Sequence, residues 1–178
     1  MRNVIILSFF LASFHGLALG QKEIFPVIKH YGGMTDVPYA IDKPDTTLEY
    51  KIIVEVGSKI ENHDSIYPPF ETICRMYNLH VYGGVKPQNL LVEVVIYGDP
   101  VSLVLNNEAY KKKFGVTNPN IEILEEMKNA GIKIYACGQS VAAKGIDPVT
   151  LNPDVQVVFS RLTTVTTRQL KGYAYLKF

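Results

Sequence analysis

Residues 131–146 read GIKIYACGQSVAAKGI, and the way this stretch divides decides the fold. Ile132, Ile134 and Ala136 recur at every second position, the period of a strand. The alternation ends at Cys137. Gly138, Gln139 and Ser140 then break it, and residues from about Ser140 to Lys144 read as a short helical piece. Upstream, NPNIEILEEMKNA at 118–130 has the marks of a helix: Asn118 as N-cap, Pro119 where a missing N–H costs nothing, and Gly131 for a left-handed exit. Ile121, Leu124, Met127 and Ala130 line one face of it. Helix, strand and helix in succession are the unit of an α/β sheet.

The same reading extends in both directions. LEYKIIVEVGS from Leu48 is a buried strand stopped at Gly57, and LLVEVVIYGDP at 90–100 is a second. VQVVFS at 155–160 and the terminal YAYLKF complete five strands. Between them, Phe70, Ile73, Cys74 and Tyr77 have helical spacing that stops at Gly83-Gly84. NNEAYKKKFG at 106–115 is a short helix whose lysines face its C-terminal dipole, and LTTVTTRQL is another helix. The expected architecture is a three-layer α/β/α domain over residues 48–178, with a five-stranded, mostly parallel sheet.

Composition agrees with a single domain: 178 residues, 47% hydrophobic and 20% charged. Residues 1–20 carry Arg2 and an apolar run shorter than a bilayer needs, the pattern of a signal peptide, which predicts a periplasmic or secreted protein with no membrane contact after cleavage. Cleavage removes Arg2 and no acid, bringing the net charge from +1 to zero, so nucleic acid is not an expected partner. Residues 21–47 have three prolines and no period and read as an extended arm. Ile24, Phe25, Val27, Ile28, Tyr31, Val37 and Tyr39 make that arm too apolar for a free tail, so it is expected on a neighbour or over a pocket.

Ligands of such sheets gather outside the carboxyl ends of the strands. Three ends are candidates: Tyr97-Gly98-Asp99, Cys137-Gly138-Gln139 and Ser160-Arg161. Cys137, ending a strand just before a helix, can have its sulfur near unpaired N–H groups that favour the thiolate, or it can be a small buried hydrophobe. Position alone does not choose. Lys144, two helical turns on, is expected to face the same way and favour the anion. Cys74 falls in an apolar stripe and reads as core, and a disulfide between the two cysteines stays open. Glu125 and Glu126 read as a solvated face, and Arg161 as a partner for a helix or carboxylate. His30, His63 and His80 show no metal-ligand spacing, and no GxGxxG, Walker loop or GxSxG is present, so no metal or cofactor is expected.

With these residues placed, VVIYGDPVSLVL (94–105), the stretch 118–146, LNPDVQVVFS (151–160) and RQLKGYAYL (168–176) together resemble the DsrE/DsrF-like family with its YchN-type members. The resemblance spans about Lys51 to Phe178. In the family's sulfur-carrying members a cysteine ends the third core strand and a basic residue and glycine follow, an arrangement Cys137, Lys144 and Gly145 match. The resemblance implies sulfur transfer through a persulfide on Cys137, a trimer or multiple of three, and a sulfur donor or acceptor protein as partner. Many relatives carry His-Gly where this chain has Tyr97-Gly98, and tyrosine offers a hydroxyl without proton exchange near neutral pH.

Two functions are therefore expected in competition. In the first, Cys137 is the catalytic thiol, while Tyr97, Gly98, Gly138, Gln139 and Lys144 bind what it carries. In the second, the protein is a non-catalytic oligomeric module that binds a small ligand or assembles, with Cys137 incidental.

Overall fold

Strand β1, Tyr50–Val56, is built from the β-branched run Ile52, Ile53, Val54 and Val56, and it occupies an interior position of the sheet. In the computed structural model, which describes residues 22–178, it is joined by β2 (Leu90–Ile96), β3 (Lys133–Cys137), β4 (Val155–Val158) and β5 (Ala174–Lys177). The expected export stretch at 1–20 lies outside the described residues. The order across the sheet is β4-β3-β2-β1-β5, and all four pairings are parallel. No helix among the described residues is long and apolar enough to cross a membrane.

Five helices follow from local sequence. Helix α1 (Pro68–Tyr82) starts on two prolines, which fit a first turn that needs no N–H partner, and buries Phe70, Ile73, Cys74 and Tyr77. Helix α2 (Asn107–Phe114) is capped by the Asn106 side chain, which accepts from the Ala109 N–H, and ends on Gly115 in the left-handed region. Helix α3 is Ile121–Asn129, α4 is Gly138–Ala143 and α5 is Arg161–Leu170.

Helix α3 begins three residues later than its expected cap. Asn118 is buried, and its amide nitrogen donates to the carbonyls of Leu103 and Leu105 at 2.8 and 2.7 Å, while its oxygen accepts from the Asn120 N–H at 2.9 Å. It staples a loop instead of capping a helix.

Topology decides which face each helix covers. Strands β1 to β4 step one way across the sheet, so right-handed crossovers place the intervening helices on one face. There Val54, Val94, Ile134 and Val155 align in register and pack with α1 and α3 into the main core. The step from β4 back to β5 reverses direction, so α5 crosses the opposite face. Among the described residues the apolar cluster on that face is Ile53, Val95, Tyr135 and Val165, too few to hold a helix by burial alone.

The first part of the arm differs from its expectation. Ile28 and Tyr31 are buried in their own chain with α1 and Met34 is buried as well, while Val37 and Tyr39 stay exposed. Asn78 of α1 holds the arm: its oxygen accepts from the Val27 and Ile28 N–H groups, and its nitrogen donates to the carbonyls of Ile28, Tyr31 and Gly32. Gly32, at φ 65°, lies where a Cβ would come within 2.2 Å of the Arg75 nitrogen. Glu126 of α3 is likewise no solvated residue. It accepts from the Lys29 N–H at 2.9 Å and meets the His30 ring at 2.5 Å.

Candidate functional site

Cys137 ends β3, and in the register that pairs Ile96 with Ala136 it lies one step beyond, beside Tyr97. Because successive residues alternate, Cys137 projects from the α5 face together with Tyr135, and not into the main core. Its backbone is the N-cap of α4. On its other side the first N–H of α5, that of Arg161, donates to the Cys137 sulfur at 3.3 Å. Two helices thus begin around one sulfur atom.

The chemistry of that position follows from its donors. Burial pushes the Cys137 thiol up, but the N–H of Arg161, the hydroxyl and N–H of Ser140 and the N–H of Gln139 all favour the charged sulfur, and together they hold the thiol below its ordinary value. Only 3% of the residue is exposed in the single chain. Its surroundings are polar at the sulfur despite that burial.

Cys74 shows the contrast. It is free, as Cys137 is, and belongs to the core on the opposite face. Burial and the neighbouring Glu71 and Glu126 carboxylates push its thiol far up, which leaves it inert.

The remaining candidates separate into two groups. Tyr97 extends β2 by one bond to the Val56 carbonyl, and its ring folds over Gly57, where a Cβ would come within 2.1 Å of it. Gly98, at φ 65° and ψ −139°, has a backbone that a side chain disfavours, and its N–H donates to the Ser140 hydroxyl at 2.9 Å. Gly138 lets β4 approach, since a Cβ there would lie 2.7 Å from the Val158 carbonyl. The Gln139 amide turns to the Phe159 carbonyl at 3.4 Å. These four and Cys137 share one rim. Lys144 stands apart: its ammonium pairs with Asp99, beside a cavity of about 350 Å³ lined also by Lys59, Lys113, Ser102 and His63. Cys137 does not line that cavity, so Lys144 is not the cation expected at the thiol.

Ser140 and Glu55 are the residues that sequence reasoning passed over, while Arg161, expected to partner a helix or carboxylate, meets a carboxylate and also reaches the thiol. Ser140 follows Cys137 by three, a spacing that places it one turn away on the same face. Arg161 contributes through its backbone, which a side-chain motif does not show. Its guanidinium meets Glu55 at 2.6 Å and lies 4.2 Å from the centre of the Tyr97 ring.

Residues 62–178 match the DsrE/DsrF-like family. The chain belongs to that family. Two solved structures share the fold: a protein of unknown function from Methanobacterium thermoautotrophicum, 21% identical with a TM-score of 0.56, and the ychN protein from E. coli, 18% identical with a TM-score of 0.53. Each alignment covers 72% of this chain and 99% of the other. No curated protein matches.

Proposed function

We propose that Cys137 is a sulfur-carrying thiol, receiving sulfane sulfur as a persulfide and passing it on. Membership of a family associated with sulfur relay supports the reading. The observation that carries it is the Arg161 N–H, at the start of α5, donating to the Cys137 sulfur at 3.3 Å where α4 also begins. In the loading step the thiolate attacks the outer sulfur of a donor persulfide, R–S–SH. A new S–S bond forms at Cys137, the donor's S–S bond breaks, and R–S⁻ leaves with the electron pair. The proton stays on the transferred sulfur, and no net oxidation occurs. An acceptor thiolate then repeats the step in the opposite sense.

A small donor such as polysulfide suits a sulfur with 3% exposure. Phe159 is 78% and Leu162 60% exposed, and both flank the site, which supports assembly of further copies around this rim; the number, three or a multiple of it, rests on the family resemblance alone. Export to the periplasm or medium rests on the apolar stretch 1–20. The competing reading, a binding module whose cysteine is only packed, draws on that low exposure.

One experiment separates the two. Intact-mass spectra after exposure to polysulfide are expected to show one added sulfur on the native protein and none on Cys137→Ser. Alkylation of Cys137 is expected to half-saturate in pH below about 8.5, the free-thiol value. No adduct together with a half-point at or above that value leaves the binding module.

A further inference from the structure

The face crossed by α5 carries two carboxylates where a parallel sheet is normally apolar. Glu55 of β1 is 3% exposed and Glu93 of β2 is 4% exposed. A buried carboxylate is costly unless it is paired, and both are. Glu55 meets the Arg161 guanidinium at 2.6 Å and accepts from the Tyr175 hydroxyl at 3.0 Å. Glu93 meets Arg168 at 2.5 Å and accepts from the Tyr173 hydroxyl at 3.2 Å. Arg161 and Arg168 are seven residues apart, two turns along one face of α5. Where apolar burial is scarce, these two ion pairs fasten the helix to the sheet.

Only one of the two fastenings reaches the thiol. Arg161 is the first residue of α5, so its N–H has no partner within the helix. That N–H donates to the Cys137 sulfur, while the same residue's side chain is anchored to Glu55 and laid against Tyr97. We propose that Glu55 is a positioning residue for Cys137: by holding the Arg161 side chain it fixes the backbone N–H that the sulfur accepts. The proposal rests on Cys137 being the reacting thiol.

A purely electrostatic role predicts the opposite sign. Removing a nearby negative charge favours a thiolate, whereas loosening an N–H···S contact disfavours it. The charged and titratable groups on the elements packed around this rim are Glu55 of β1, Tyr97 after β2, Arg161 of α5 and Tyr175 of β5; α4 contributes the neutral donors of Ser140 and Gln139. Glu55→Gln keeps the shape of the side chain and removes its charge. Glu93→Gln does the same at the other fastening of the same helix and serves as the control for any general loosening of α5.

The test is the rate of alkylation against pH for the full chain and the two variants, with Cys137→Ser to confirm that Cys74 is silent. Glu55→Gln is expected to raise the half-point by about one pH unit, a roughly tenfold lower rate below it, with Glu93→Gln within a few tenths of native. An unchanged or lowered half-point in Glu55→Gln overturns the proposal, and so does an equal rise in both variants. Should Glu55→Gln not fold, Arg161→Lys keeps the N–H and a cation but loses the stacked, forked anchor. A rise there supports the proposal and no change overturns it. A native half-point at the ordinary thiol value is a different failure, that of Cys137 as the reacting group.

Discussion

Replacing Asn78 by alanine tests how the arm is held. Asn78 is wholly buried and makes five contacts with arm backbone: two N–H groups at 3.1 and 3.0 Å on its oxygen, and three carbonyls at 3.1, 3.2 and 3.2 Å on its nitrogen. At a net worth of about 1 kcal/mol per hydrogen bond, the five set an upper bound of about 5 kcal/mol if the arm stays in place. The chain has an alternative response. Releasing the arm returns those backbone groups to water and regains the entropy of the freed segment, which offsets part of the roughly 1.5–3 kcal/mol forfeited at each of Ile28, Tyr31 and Met34, so the expected loss is a few kcal/mol, within that bound. Urea unfolding reads both the loss and its route: an arm released before unfolding leaves less surface to expose, so the slope with denaturant falls along with the midpoint. Trypsin adds a local measure, with cleavage at the exposed Lys29 expected in Asn78→Ala and not in the native protein. Asn78→Asp preserves the two N–H contacts but turns a carboxylate toward three carbonyls, and is expected to cost a similar amount at neutral pH. A loss below about 1 kcal/mol with Lys29 still protected refutes the assignment of arm docking to Asn78.

Four further outcomes are expected. Ser140→Ala removes a hydroxyl that favours the charged Cys137 sulfur and leaves the Gly98 N–H without its acceptor; the alkylation half-point is expected to rise by about one pH unit, since a hydrogen bond to a charged group is worth about 1.5–3 kcal/mol at most. Because the thiol is held by neutral donors and not by Lys144, raising the salt to about 1 M should move the native half-point by no more than a few tenths, where a lysine-held thiolate would be screened. Gly138→Ala forces a methyl to within 2.7 Å of the Val158 carbonyl, and its urea midpoint is expected to fall by the equivalent of about 1–3 kcal/mol. Burial pushes the Glu126 carboxyl up, but hydrogen bonds from His30 and Lys29 outweigh it and hold the group below its ordinary range. Its contribution is therefore present above about pH 4.5 and lost as pH falls through the lower folded value, so the stability gap between native and Glu126→Gln at pH 6 should narrow progressively as the pH is taken below about 4.5.

What could be read from residue order was whatever depends on neighbours within a turn or a strand. The alternation through Ile132, Ile134 and Ala136 and its break after Cys137 located β3, although α4 starts at Gly138, two residues before the expected Ser140, and Gly115 located the end of α2. Contacts across the chain were not legible in this way. Asn78 meets the arm 46 to 51 residues away, and Glu55 meets Arg161 across 106. Glu55 and Glu93 in otherwise apolar strands were signals of buried partners, yet nothing local says which arginine answers which carboxylate. Lys144 was misjudged for a related reason. Helical periodicity pointed it toward Cys137, but Asp99, outside the helix, claims its charge.

The site is a consequence of chain order more than of a motif. Because β4 is an edge strand and β5 pairs with β1 at the other edge, the last crossover must reverse and run over the face that α1 and α3 leave open. Its helix has to start at the carboxyl rim beside β4, the strand registered with Cys137. Helix α4 starts there too, directly from β3. A cysteine at this one position therefore lies where two helices start, and among the described residues no lysine or arginine side chain is hydrogen-bonded to its sulfur. That has a chemical consequence for a carrier. A fixed cation would hold an anionic cargo whatever its length, whereas donors arranged around a single atom favour the negative charge close to the cysteine. They assist attack by the thiolate, and they equally stabilise that thiolate as the leaving group when an acceptor takes the outer sulfur. Loading and unloading are then served by the same contacts, as transfer in both directions requires.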